Sequence, residues 1–361
     1  MLLALVLAWF CCCTGIARAG YAAIVVDGTS GKVLDEVHAD EHNHPASLTK
    51  MMTLYLTFQR LHSGQLRLDQ QLPVSAWAAS KAPTKLGLVP GRTISVRDCI
   101  LGMVTKSAND AATVVAEAIG GSEQHFVEMM NAQALMLGMT DTHFDNASGL
   151  PGPSDASTAR DLVKLARALY RDFPQDAAYF ATREFTFQGK LVVGHNHLLD
   201  RYPGMDGLKT GFTDAAGFNL ASTAVRDGHR LFAVVMGGRT AQARDDLMAR
   251  LLDDGFDGRQ TPDSLVAQAG MVSRISRTRR ALAALSPIKS AEADTVPASL
   301  RTTHRRRHVV VARAACTPRK GTSCTRHGKR AVHRAKGGSA TLAARAANRK
   351  AAATERPADS H

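Results

Sequence analysis

The chain is poor in aromatics, in cysteine and, over its last third, in acidic residues. Phe, Trp and Tyr make up 5% of its 361 residues, and none follows Phe256. A segment without them cannot bury enough apolar surface to offset the entropy of ordering it. Residues 258–361 carry 22 Lys+Arg against 5 Asp+Glu, whereas residues 1–257 carry 23 against 27. A mildly acidic body thus bears a strongly basic tail, and the overall charge of +13 describes neither part. No apolar run outside the N-terminus reaches the ~20 residues of a membrane-spanning helix, which excludes a polytopic membrane protein. No C-x-x-C or H-E-x-x-H spacing occurs, and His38, His42 and His44 have no completing carboxylate or Cys pattern, so no metal or other cofactor is expected. The missing G-x-G-x-x-G fingerprint and βαβ alternation argue against a doubly wound nucleotide fold. With 45% hydrophobic and 21% charged residues, a wholly disordered chain is excluded too.

The N-terminus is apolar from Leu2 to Cys13, followed by Ala17-Arg18-Ala19 before Gly20. This pattern reads as a secretory signal over residues 1–19 with cleavage after Ala19, although no Lys or Arg precedes the apolar run. The body is then exported, to the periplasm or the cell envelope. Cleavage would remove Cys11, Cys12 and Cys13. Cys99, among apolar residues, reads as a core thiol. Cys316 and Cys324 could pair in an oxidising compartment, which spacing alone does not decide.

Between these ends the periodicity changes twice. Tyr21 to Asp27 and Lys32 to Val37 flank Gly28-Thr29-Ser30-Gly31, a hairpin signal. Pro45 to Leu61 reads as a buried helix. Helices follow at Ser95 to Val104, Asp110 to Ile119, Ser122 to Leu137 and Thr158 to Tyr170, with capping-box spacing at Ser95 and Thr158. Then come hairpins across Gln188-Gly189 and Asp227-Gly228, and a helix from Ala241 to Leu252. Strands at both ends with helices between predict an α+β fold: one antiparallel sheet, covered by helices, with a helical subdomain. The predicted domain spans residues 20–257, and residues 258–361 form a basic tail expected to be disordered, with one amphipathic basic stretch from Leu265 to Leu285.

Three short motifs carry chemistry. Ser47-Leu48-Thr49-Lys50 sets a hydroxyl and an amine three apart at a helix start, where the amine can reach the hydroxyl and act as its base. The apolar run behind Lys50 argues that its amine is partly buried. Ser107-Ala108-Asn109 lies between two helices, and Lys209-Thr210-Gly211 on a late strand. Each alone is a weak signal, but their order is the serine, Ser/Asn and Lys-Thr-Gly trio of class A β-lactamases and penicillin-binding proteins.

With the flanking Asn146-Ala147-Ser148-Gly149-Leu150 and Ser157-Thr158-Ala159-Arg160-Asp161-Leu162, residues 21–257 resemble the D-alanyl-D-alanine carboxypeptidases, the low-molecular-weight penicillin-binding proteins of the S11 peptidase family. The resemblance implies a β-lactamase/penicillin-binding-protein-like fold. It implies Ser47 as the acylated nucleophile, Lys50 as its neutral general base, Ser107 as a proton relay to the leaving D-alanine, and Asn109 as the group orienting Lys50 and substrate. It further implies that Lys209 and Thr210 hold the terminal carboxylate, that Gly211 leaves room for the substrate backbone, and that the N–H groups of Ser47 and Phe212 form an oxyanion hole. The family often has His where Phe212 stands. Arg244 matches a family arginine near the carboxylate site.

The implied substrates are peptidoglycan stem peptides ending in D-Ala-D-Ala, with β-lactams as covalent inhibitors. The tail would meet an anionic envelope surface, and no nucleic-acid partner is expected. Nothing after Gly258 reads as strands, so a counterpart of the β-rich second domain of many relatives is not expected there, and no amphipathic anchor pattern is read at the chain end. Two alternatives stay open: a D,D-endopeptidase cutting cross-links with the same residues, and an inactive penicillin-binding protein that binds the wall. A class A β-lactamase is disfavoured, because no Glu occurs between Glu128 and Glu184.

Overall fold

A computed structural model describes residues 21–270; the leader, the basic runs, Cys316 and Cys324 lie outside the described residues. The chain opens on the expected hairpin, β1 (Ala22–Asp27) against β2 (Val33–Val37). A 3₁₀ turn over Ala46–Thr49 runs straight into α1 (Lys50–His62). A small ribbon of β3 (Gln71–Pro73) and β4 (Thr93–Ser95) encloses the short α2 (Ala76–Ser80). Then come α3 (Val96–Val104), α4 (Asn109–Gly120), α5 (Glu123–Met136) and α6 (Ala159–Asp172). The hydroxyls of Ser95, Ser122 and Thr158 each accept a backbone N–H three residues on, so the sequence's capping signals are used. Gly121, at φ +74°, closes α4 in the left-handed region.

Past a second ribbon, β5 (Glu184–Phe187) with β6 (Lys190–Val193), and the one-turn α7 (Leu198–Arg201), the chain lays down β7 (Met205–Thr213), β8 (Gly217–Arg226) and β9 (His229–Gly238). Helices α8 (Ala241–Phe256) and α9 (Asp263–Gly270) follow. The five-stranded antiparallel sheet runs β2-β1-β9-β8-β7, so the last strands complete the sheet begun by the first hairpin. The two ribbons stand apart from it.

Both faces of the sheet are covered. Ile24, Val26, Phe232 and Val234 share one apolar cluster with Leu162 and Leu165 of α6. Val25, Leu220, Leu231 and Val235 share another with Leu247, Met248 and Leu251 of α8. The two-residue period of a strand therefore sorts β1 between two apolar layers, which is why its sequence alternates only weakly. Cys99 is the expected core thiol: it is fully buried, and burial pushes its pKa well up.

One boundary moves. Packing continues past residue 257 to Gly270. Val266 and Ala269 are buried, Arg239 N donates to Ala269 O at 3.0 Å, and Thr261 N donates to Asp35 Oδ2 at 2.7 Å. The composition of the whole tail hid a short local signal, Thr261-Pro262-Asp263 ahead of Leu265 and Val266. The remainder of the basic stretch read to Leu285 lies outside the described residues.

Candidate active site

Ser47 sits in the 3₁₀ turn and Lys50 is the first residue of α1. In a 3₁₀ turn positions i and i+3 eclipse, a more direct juxtaposition than the α-helical spacing read from sequence. Lys50 Nζ lies 3.1 Å from Ser47 Oγ. The chain enters this turn through Ala46 at φ +49°, a conformation costly for a residue with a Cβ. Asn219 on β8 holds it there. Its Nδ2 donates to His44 O at 2.9 Å and Pro45 O at 3.2 Å, while its Oδ1 accepts from Gly237 N. Sequence reasoning missed Asn219; its one signal was a lone amide in the apolar run from Phe218 to Val225.

The surroundings of Lys50 decide what its amine can do. The side chain is fully buried. Nζ lies 2.7 Å from Asn109 Oδ1 and 2.6 Å from Ser148 O, both of which only accept. A neutral amine has two N–H groups and one lone pair. With both N–H groups on these carbonyls, the lone pair faces Ser47 Oγ and can take its proton. Burial pushes the Lys50 pKa well below its ordinary value, and the neighbouring Lys209 pushes the same way against the opposing Asp110 carboxylate. The flip of Asn109 is fixed, because Nδ2 donates to Ala82 O at 2.9 Å.

Ser148 owes its position to the loop that the sequence shows as Asn146-Ala147-Ser148-Gly149-Leu150. Asn146 Oδ1 accepts from the N–H groups of Ser148, Gly149 and Leu150. Asp110, next to Asn109, does the same with its carboxylate, accepting from the N–H groups of Leu86, Gly87 and Leu88. Ser107 stands beside Asn109 at φ +59°, with its Oγ buried and without a hydrogen-bond partner among the described residues. It is the second left-handed residue with a Cβ on this cleft.

The opposite wall is β7, at the edge of the sheet. Lys209 is buried and donates to Thr210 O at 2.9 Å. Burial, and then the charge of Arg244, pull its pKa down to about 7. Arg244, in the first turn of α8, is also buried; it donates to Asn219 O at 3.0 Å and pairs with Asp245 at 2.8 Å. Gly211 lines the cleft, and a Cβ there would stand 3.2 Å from Ser47 N and Pro45 O, so the turn that carries Ser47 also packs closely on this strand. Phe212 is half-exposed, its ring 4.3 Å from that of Phe218.

Ser47, Ser107, Asn109, Thr210, Gly211, Phe212 and Arg244 line one cleft of about 520 Å³. Every expected site residue is thereby placed at the cleft or, as with Lys50 and Lys209, in its wall. His195 and His197, not foreseen, line it as well. Burial, with Lys209, Lys106 and His197 nearby, lowers the His195 pKa to about 4, so its imidazole is neutral at neutral pH.

A helix-covered antiparallel sheet, a serine–lysine pair at a helix start and a second buried lysine on the edge strand define a protein of the penicillin-binding and β-lactamase fold class. More narrowly, the chain belongs to the S11 peptidase family: the family profile described as D-alanyl-D-alanine carboxypeptidase matches residues 16–240. It is 39% identical over 240 residues to the D-alanyl-D-alanine carboxypeptidase DacA of Escherichia coli (strain K12), covering 64% of this chain and 60% of that protein. With DacC of the same strain the identity is 38% over 260 residues, 70% of this chain and 65% of that protein. The chain thus spans less than two thirds of the length of these curated relatives. Among solved structures, penicillin-binding protein 5 of Haemophilus influenzae matches with a TM-score of 0.64 at 33% identity, over 66% of this chain and 71% of that one. Penicillin-binding protein D2 of Listeria monocytogenes, in its ampicillin-bound form, matches with a TM-score of 0.58 at 36% identity, over 65% of this chain and 96% of that one.

Proposed function

We propose that this protein is an exported serine-type D-Ala-D-Ala carboxypeptidase that removes the terminal D-alanine from peptidoglycan stem peptides. The observation that carries this is the fully buried Lys50 Nζ, 3.1 Å from Ser47 Oγ and held by two acceptor carbonyls, beside a cleft lined by Thr210 and Arg244 with Lys209 buried behind them. Ser47 Oγ attacks the carbonyl carbon of the penultimate residue while its proton passes to Lys50 Nζ. The N–H groups of Ser47 and Phe212 stabilise the oxyanion. The C–N bond breaks as a proton reaches the leaving nitrogen through Ser107, whose Oγ has no competing partner among the described residues. Lys209, Thr210 and Arg244 hold the terminal carboxylate. Water then hydrolyses the acyl-enzyme.

β-Lactams acylate the same Ser47 and stay bound, since no carboxylate side chain lines the cleft among the described residues to activate a deacylating water. No helix among the described residues is long and apolar enough to cross a membrane. Attachment to an anionic envelope surface falls to residues 271–361, with 21 Lys+Arg against 4 Asp+Glu. The test is D-alanine release from a D-Ala-D-Ala peptide together with covalent labelling by a tagged penicillin. Ser47→Ala removes both, at a cost of about 10⁶ in rate by analogy with other serine nucleophiles. A labelled Ser47→Ala protein refutes the assignment.

A further inference from the structure

A second and larger cavity, of about 1180 Å³, opens on the helical lobe, and Leu150 forms part of its wall as well as of the catalytic cleft's. Trp77 of α2 stands on its rim, 58% exposed. An exposed indole is usually mobile, but this one is pinned. Its Nε1 donates to Glu123 Oε2 at 2.7 Å, and Lys81 Nζ sits 3.9 Å from the ring centroid. Lys81 and Glu123 are themselves a buried ion pair at 2.6 Å. The same Glu123 accepts from Ala147 N, in the loop that presents Ser148 to Lys50. Glu117 and Gln124 supply polar groups around the cavity, while Asn131 and Asp145, which also line it, are engaged by the Phe144 backbone and by Ser154 N and His143.

We propose that this groove binds an N-acetylated amino sugar of the glycan that carries the stem peptide. The inference rests on the carboxypeptidase function proposed above and extends it to the sugar end of the substrate. The polarised C–H face of a sugar ring complements the negative face of an indole. Hydroxyl and acetamido N–H groups complement carboxylate and amide oxygens, which accept. A ring already fixed in orientation binds without the cost of ordering it. The four residues between scissile bond and sugar in a pentapeptide substrate span about 13–14 Å when extended, and Leu150 is common to the walls of the cleft and the groove.

The test compares D-alanine release from a disaccharide pentapeptide and from the free pentapeptide. We expect the full-length protein to show a KM about tenfold lower for the disaccharide form, equivalent to about 1.4 kcal/mol, at similar kcat. Trp77→Ala should bring the ratio of the two KM values close to one, and Trp77→Phe, which keeps an aromatic face, should preserve most of it. Independently, Trp9→Phe leaves Trp77 as the sole indole. Its fluorescence should shift saturably on titration with tri-N-acetylchitotriose. Equal KM values for both substrates in the unmodified protein refute the proposal. So does an equal loss on both substrates in Trp77→Ala, which would mark Trp77 as merely structural. A response to free peptides bearing a side-chain amine, with none to the sugar, assigns the groove to a cation and also refutes it. If neither substrate releases D-alanine, the carboxypeptidase reading fails instead, and the sugar titration still decides the groove.

Discussion

Gly149→Ala is the sharpest perturbation the site offers away from its reacting groups. Gly149 sits at φ +75°, where a Cβ would collide with the carbonyl of Ala46 and lie 2.9 Å from Thr49 Oγ1. The left-handed backbone costs an L-residue about 1–2 kcal/mol. Overpacking against backbone, which cannot rotate away, adds about 1–3 kcal/mol. The sum, about 3 kcal/mol, lowers Tm by roughly 6–12 °C for a body of this size. The larger effect is on rate. Ala46 precedes Ser47, and Ser148, on the other side of the clash, accepts from Lys50 at 2.6 Å. Relief of the clash must part the nucleophile from its base or the base from its carbonyl, and a misplacement near 1 Å costs about 10²-fold. The measurements are thermal unfolding and the rate of acylation by a labelled penicillin. Gly64→Ala is the control, because Gly64 has a φ of +71° with nothing within 4 Å of the added Cβ. It should lose only the backbone share of stability and keep its acylation rate. An acylation rate in Gly149→Ala equal to that of Gly64→Ala refutes the reasoning.

Lys50→Arg should lose about 10²–10⁴-fold in acylation, the share of a general base, because a guanidinium keeps its proton; substantial acylation by the variant would remove Lys50 from that role. The pH profile of kcat/KM reports the free enzyme, where Lys209 titrates at about 7 and must be charged to hold a carboxylate. That profile should therefore rise as Lys50 loses its proton and fall above about pH 7, while kcat, measured with the carboxylate in place, should fall only at higher pH; coincident falling limbs contradict this. A variant ending at Gly270 should still hydrolyse a small D-Ala-D-Ala peptide but no longer sediment with anionic vesicles at low salt. Sedimentation of the full chain should be reversed near 1 M salt, where the Debye length is only ~3 Å, and retained sedimentation of the shortened variant would place the tether elsewhere.

What the sequence disclosed followed from how local each signal is. The serine–lysine pair and the capping hydroxyls of Ser95 and Thr158 act within four residues, and the hairpin across Asp227-Gly228 does so nearly, so all were legible. The completion of the sheet by β9 against β1 was inferred from the order of strands and holds in the register Ile24 to Val234. The ribbon of β3 and β4 escaped because three-residue strands carry too little pattern. Asn219 and Asp110 escaped for another reason: their partners lie 174–175 and 22–24 residues away, and nothing in their own neighbourhood shows which backbone they hold. Thr261 was lost in the basic composition around it, and the amphipathic stretch from Leu265 did not show that Val266 packs on the body. The close packing of Gly211 against the turn of Ser47 was not legible either, because the two lie more than 160 residues apart.

The cleft contains two buried lysines, and what each touches separates their work. Lys50 is flanked by two acceptor carbonyls and feels the carboxylate of Asp110; Lys209 has one carbonyl, that of Thr210, and faces Arg244. Burial depresses both, and because each charge disfavours the other, their protons are coupled. A terminal carboxylate entering beside Lys209 and Arg244 raises the proton affinity of Lys209. The carboxylate thereby keeps Lys209 charged at a pH where the free protein would lose that proton. At Lys50 the added negative charge offsets the charge fixed on Lys209, so the neutrality of Lys50 rests first on its burial. On the carboxypeptidase reading, substrate binding therefore fixes the protonation of the lysine that holds the carboxylate and leaves that of the base to the fold.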